Sequence, residues 1–114
     1  MNVRLYVWQR ATAAIMAPLV LVHIAVIFYA ARRGLSASDV LARTRGSIAW
    51  AAFYGLFVAA VSIHAAIGLR NVLHEWSPLT ERRAGFCAIG FGLLLAALGI
   101  RAVAAVVLPW PCGI

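Results

Sequence analysis

Residues 47–69 read SIAWAAFYGLFVAAVSIHAAIGL, 23 residues in a row without a formal charge. A run of that length decides the fold class. About 20 apolar residues, each rising about 1.5 Å along a helix, cross a hydrocarbon core of about 30 Å. Lipid offers no partners to backbone N–H and C=O groups, so the segment must satisfy them internally as an α-helix. Inside the run sits one ionisable side chain, His64. An imidazole is costly at membrane depth, which marks it as a candidate functional group.

Two more runs flank this one. Residues 11–31 carry no formal charge, and residues 84–108 carry one, Arg101. The chain is 65% hydrophobic with a mean hydropathy of +0.96, the composition of a membrane protein. The expectation is an all-α membrane protein with three transmembrane helices, over about residues 11–31, 47–70 and 84–108, in a single transmembrane domain spanning 1–114. Three helices bury little against one another, so partner helices are expected around any cofactor.

The connecting segments carry their own signals. Residues 1–10 read as a short amphipathic lead-in, with Tyr6 and Trp8 as interfacial aromatics and Arg10 at the water boundary. Pro18 should kink the first span. In the first loop, RRGLSASDVLARTRG, Ser36 or Ser38 is placed to cap a short interfacial helix containing Val40 and Leu41. Ser77-Pro78 ends the second span. Gly85, Gly90, Gly92 and Gly99 give the third span smooth surfaces for helix contact, and Trp110 between two prolines ends it. Trp8, Trp50, Trp76 and Trp110 all fall at expected helix ends, as an aromatic belt requires.

The net charge of +7 comes from ten Lys+Arg positions, all arginine, against three acidic residues. Topology accounts for it. Arg4, Arg10, Arg70, Arg82 and Arg83 fall on one membrane face and Arg32, Arg33, Arg43 and Arg45 on the other. That near balance fixes no orientation, and a charge split between two faces argues against a nucleic-acid partner. The clusters suit lipid phosphates instead. Arg101 lies about 25 Å into its span, close enough to snorkel to the far interface. Cys87 reads as a small core residue and Cys112 lies in the C-terminal tail; no close ligand spacing points to an iron–sulfur cluster or zinc on this chain.

An antiparallel pair of first spans puts Arg10 and Arg70 on one face, with His64 about 9 Å from Arg70 along the axis. Helical spacing places Phe57, Ala60, Val61, Gly68 and Asn71 on the His64 face. Most are small, which leaves room for a flat macrocycle. Neutral imidazole is a standard haem ligand, and arginine pairs well with propionate carboxylates. His64 is thus the candidate ligand of a haem b iron, with Arg10 and Arg70 at its propionates. The alternative is an interhelical hydrogen bond. His23 lies about 10 Å deeper than His64, so the two cannot clamp one iron; it either packs, makes a hydrogen bond or serves a second haem. At the end of the second span, Trp76 can donate its indole N–H to a quinone and His74 or Glu75 can relay protons. Plain interfacial anchoring is the other reading of this trio. No catalytic residue is expected.

At these residues the chain resembles a family: the hydrophobic membrane-anchor and cytochrome b subunits of succinate dehydrogenase (succinate:quinone oxidoreductase, respiratory complex II) and of related fumarate reductases. Two motifs carry the resemblance. Arg10-Ala11-Thr12-Ala13 looks like the arginine-led start of the first helix in bacterial anchor subunits. His64-Ala65-Ala66-Ile67-Gly68, followed by Val72-Leu73 and Glu75-Trp76, looks like the haem-ligating histidine and the acidic–aromatic pair near the quinone. Gly68-Leu69-Arg70 looks more like the sister cytochrome b subunit, whose motif ends Gly-x-Arg. The family usually has aspartate and tyrosine where this chain has Glu75 and Trp76, and an indole cannot accept a hydrogen bond.

The resemblance implies half of a haem-binding helical bundle, completed by a second three-helix subunit that gives the other axial histidine. It implies a haem b shared between the two, with His64 as ligand and Arg10 at a propionate or the quinone site, and ubiquinone or menaquinone as substrate. It also implies an iron–sulfur subunit and a flavoprotein subunit docked at the cytoplasmic face of a bacterial inner membrane. The N-terminus would then be cytoplasmic and the C-terminus periplasmic. Some family members carry two haems and a first-span histidine, a variant with which His23 is compatible. Outside this reading stand a cytochrome b anchor of another quinone-linked dehydrogenase and a non-catalytic structural membrane protein.

Overall fold

A computed structural model describes residues 3–108 of the chain. Four helices follow one another: α1 Val3–Arg33, α2 Ala37–Thr44, α3 Ile48–Trp76 and α4 Glu81–Val107. Three of them, α1, α3 and α4, are long and apolar enough to cross a membrane. The molecule is 47 Å in its longest dimension, close to the roughly 40–45 Å of a bilayer with its headgroup regions. The all-α membrane fold is therefore as the sequence indicates.

Helix α3 is the centre of the bundle, with α1 on one side and α4 on the other. Short connections make neighbours antiparallel, so the start of α1, the end of α3 and the start of α4 share one membrane face. The other face carries the end of α1, α2, the start of α3 and the end of α4.

Local chemistry sets the helix ends. Ser36 caps α2 with a full capping box: its hydroxyl accepts from the Asp39 N–H, while the Asp39 carboxylate accepts from the Ser36 backbone N–H. Ser47 caps α3 and Thr80 caps α4 through bonds to the Trp50 and Arg83 N–H groups. Gly34 has φ +140°, and a Cβ there would sit 2.3 Å from the Asp39 carboxylate, so glycine is required where the chain leaves α1. The first loop is tied to α4 at its far end: Thr44 Oγ1 donates to the Val106 carbonyl at 2.6 Å, and the Gly46 N–H donates to the Val107 carbonyl at 2.6 Å.

Three expectations change. Residues 3–10 are not a separate lead-in but the first turns of α1, because nothing between Val3 and Ala11 breaks a helix. Helix α4 begins at Glu81, three residues before Ala84, since the Thr80 cap lies upstream of the apolar run. Cys87 is exposed on the outer side of α4 rather than in the core. The core holds small residues: Ala60, Ala84 and Ala88 are buried, and no large side chain is fully buried among the described residues. Helix α1 continues through Pro18. Trp110 and Cys112 lie outside the described residues.

Of the four glycines of α4, Gly92 and Gly99 meet α3 most closely, while a Cβ on Gly85 would reach only the Arg70 Nε at 4.0 Å. A Cβ on Gly92 would lie 2.9 Å from the Ala66 Cβ, and one on Gly99 would lie 2.5 Å from the Val58 Cγ1. Close approach of the two backbones depends on these positions.

Candidate functional site

His64 projects from α3 toward α1. Its Nδ1 lies 3.2 Å from the hydroxyl of Thr12, 52 residues earlier in the chain. Thr12 is 2% exposed, and its Oγ1 is also 2.8 Å from the Trp8 carbonyl and 3.0 Å from the Gln9 carbonyl. One imidazole nitrogen is thus engaged by α1, and Nε2 is the ring nitrogen that Thr12 does not meet. Thr12 belongs to the Arg10-Ala11-Thr12-Ala13 stretch, and nothing in local spacing pairs it with a histidine 52 residues away.

One turn closer to the membrane face, Gln9 lies against Gly68: a Cβ at Gly68 would meet Gln9 Nε2 at 3.7 Å. The Oε1 of Gln9 is buried without a hydrogen-bond partner. Buried polar atoms are nearly always satisfied, so this oxygen is an exception one turn from His64 along the α1–α3 seam. The residues present fit a haem: a single imidazole with one nitrogen held and small residues, Ala60 and Gly68, one turn away on each side.

The structure gives the two arginines different partners. Arg10 is exposed, with its guanidinium 5.6 Å from the centre of the Tyr6 ring. It is two residues from Thr12, hence about 200° around the helix and turned from the α1–α3 seam. Arg70 forms an ion pair with Glu81 across the α3–α4 turn, Nη2 to Oε1 at 2.5 Å. Glu75 and Trp76 lie in the last turn of α3 and are exposed, Trp76 to 84%. His74 is exposed beside them.

His23 is set apart. It lies eleven residues past Thr12, about 16 Å farther along α1. Its ring meets Phe57 edge-on at 5.3 Å and Tyr54 at 6.0 Å. Its Nδ1 is buried without a hydrogen bond. An apolar cavity of about 400 Å³ lies beside it, lined by Tyr54, Phe57, Val58, Ser62 and Gly99 among others. Phe57 and Val61, expected on the His64 face, line this cavity. Phe57 does share the angular position of His64, but two turns deeper, where its neighbour on α1 is His23.

Among curated proteins and solved structures, no match reaches significance. A family model described as succinate dehydrogenase/fumarate reductase transmembrane subunit matches residues 1–100. That match takes in α1, α2, α3 and most of α4, including the Thr12–His64 seam, and the chain belongs to this family of transmembrane subunits.

Proposed function

We propose that the chain is the membrane-anchor subunit of a succinate:quinone oxidoreductase and shares a haem b with a cytochrome b-type three-helix subunit. The observation that carries the reading is His64 itself: an intramembrane imidazole with Nδ1 held by a buried hydroxyl and Nε2 left over, in a chain of this family. When bound, haem supplies a one-electron iron centre. His64 would hold it through Nε2, and a histidine of the partner subunit would complete its ligation. Arg10 and Arg70 offer positive charge to propionates or to the edge of the quinone site. His23 is assigned to packing, on its two aromatic edge contacts.

The quinone, ubiquinone or menaquinone, lies near the end of α3. There Trp76 donates its indole N–H to a quinone carbonyl, and Glu75 exchanges a proton between headgroup and water. Because both are exposed in the lone chain, the remaining walls of that site come from the cytochrome b-type and iron–sulfur subunits. The iron–sulfur and flavoprotein subunits dock on the same face, which is cytoplasmic in a bacterial inner membrane, with the chain's N-terminus on that side and its C-terminus periplasmic. Electrons from succinate reach the quinone by way of the iron–sulfur subunit.

An absorption spectrum of the purified complex tests this reading. A Soret band is expected in the wild type and is expected to vanish or fall sharply in His64→Ala. A colourless wild-type complex that reduces quinone would reduce the role of the chain to anchoring. The family description covers fumarate reductase as well, so the second reading is an anchor working in that direction. The turnover preference of the co-purifying flavoprotein separates the two.

A further inference from the structure

We infer that Thr12 sets the tautomer of His64: its hydroxyl accepts a hydrogen bond from Nδ1–H and so keeps Nε2 free of a proton. The inference rests on the haem reading for its purpose, but its geometry stands independently. A hydroxyl has one proton and two lone pairs. Thr12 Oγ1 lies within 3.0 Å of two backbone carbonyls on its own helix, at Trp8 and Gln9, and 3.2 Å from His64 Nδ1. Carbonyls only accept. A helical threonine ordinarily donates back to the carbonyl a turn earlier, and here that bond is the shortest of the three.

With its proton committed to the Trp8 carbonyl, the hydroxyl faces His64 with a lone pair. Two lone pairs cannot bond each other, so Nδ1 must carry the hydrogen. In a neutral imidazole the other nitrogen is then bare. Thr12 is a positioning residue: it touches the ligand and not the iron. It fixes both the ring orientation and the proton, as outer-shell partners of metal-bound histidines do. Its burial excludes water from replacing it.

The test uses the purified complex containing this chain, with 15N-labelled histidine and the His64 signals assigned by subtraction of His64→Gln. In the reduced, diamagnetic state Nδ1 is expected to be protonated and Nε2 not. Thr12→Val, equal in shape but without the hydroxyl, is expected to lose Nδ1 protonation in part of the population and to bind several-fold less haem. The haem it does bind should have a higher midpoint potential, because an imidazole whose N–H is not hydrogen-bonded is the poorer donor to iron. Thr12→Ser should restore all three readouts. Wild-type His64 protonated on Nε2, or Thr12→Val with wild-type tautomer and potential, would overturn the inference. If Thr12→Val does not assemble, Thr12→Ala, read by the same haem content and midpoint potential, decides instead. A haem-free wild-type complex would defeat the proposed function, while the His64 nitrogen spectrum would still decide the role of Thr12.

Discussion

The two intramembrane histidines lie at opposite levels of the same α1–α3 seam and are treated oppositely. His64 has a hydroxyl on one ring nitrogen, small residues above and below it and a charged helix end nearby. His23 has aromatic edges, an orphaned Nδ1 and an apolar cavity. The difference teaches that depth in the bilayer does not make a histidine a ligand. What distinguishes the two is a partner that holds one nitrogen and leaves the other available.

The sharpest way to break this contrast is to remove each ring in turn. His64→Ala should abolish haem binding in the purified complex, whereas His23→Ala should keep the full haem-to-protein ratio. Loss of half the haem in His23→Ala would give the deeper histidine a cofactor of its own and erase the distinction. His23→Phe is a further check. It fills the same space without a nitrogen and should leave the spectrum unchanged, since the aromatic neighbours of His23 ask only for a ring.

A smaller effect separates the two levels of the α3–α4 contact. Gly92 stands at the level of Ala66, whose Cβ cannot rotate away, so Gly92→Ala must push the helices apart and should cost about 1–3 kcal/mol. Gly99 stands against Val58, and both line the cavity near His23. Val58 has open space to turn into, so Gly99→Ala should cost less, although its first clash is the tighter one. Thermal or detergent-denaturant unfolding of the complex reads both. Equal losses would mean that the cavity is filled in the assembly.

Much of this was legible in advance, and the reasons differ by element. The three spans follow from hydropathy because lipid leaves the backbone no alternative to a helix. Ser36 was legible as a cap because its chemistry is local, three residues from the N–H it serves. Cys87 was not placed correctly, because in a membrane helix the outward face is as apolar as the inward one and carries no stripe to read. The Thr12–His64 contact was out of reach for another reason. It joins helices 52 residues apart, and a threonine in an apolar helix has an ordinary local explanation. His64 was legible because an ionisable side chain in a long apolar run stands out unaided.

The ion pair at the upper end sharpens the comparison further. Glu81 is 62% exposed and Arg70 only 15%, so screening by solvent keeps the pair to about 0–1 kcal/mol. Glu81→Gln should therefore leave stability and quinone turnover almost unchanged. Arg70→Gln removes the same pair, so any additional loss of turnover or shift in haem potential measures what the guanidinium does for a propionate or quinone. Identical phenotypes for the two substitutions would restrict Arg70 to its partner on α4.

The smallest effect belongs to the opposite face. The Ser36 hydroxyl, and after it the Ser36 backbone N–H, hold the Asp39 carboxyl below the usual carboxylate range. A carboxylate with a depressed folded-state pKa contributes its stabilisation above the unfolded value and loses it as pH falls through the folded one. The capping box of α2 should thus be intact at neutral pH and weaken only in acid. Amide hydrogen exchange in α2 should accelerate as the pH is lowered below the ordinary carboxylate range, once corrected for intrinsic exchange rates. In Asp39→Asn that acid-dependent step should disappear, while exchange around Thr12 and His64 stays level in both proteins. A parallel rise at His64 would show that the two ends of the seam are mechanically joined, with the Thr44–Val106 bond at the base of α4 the first place to look for the link.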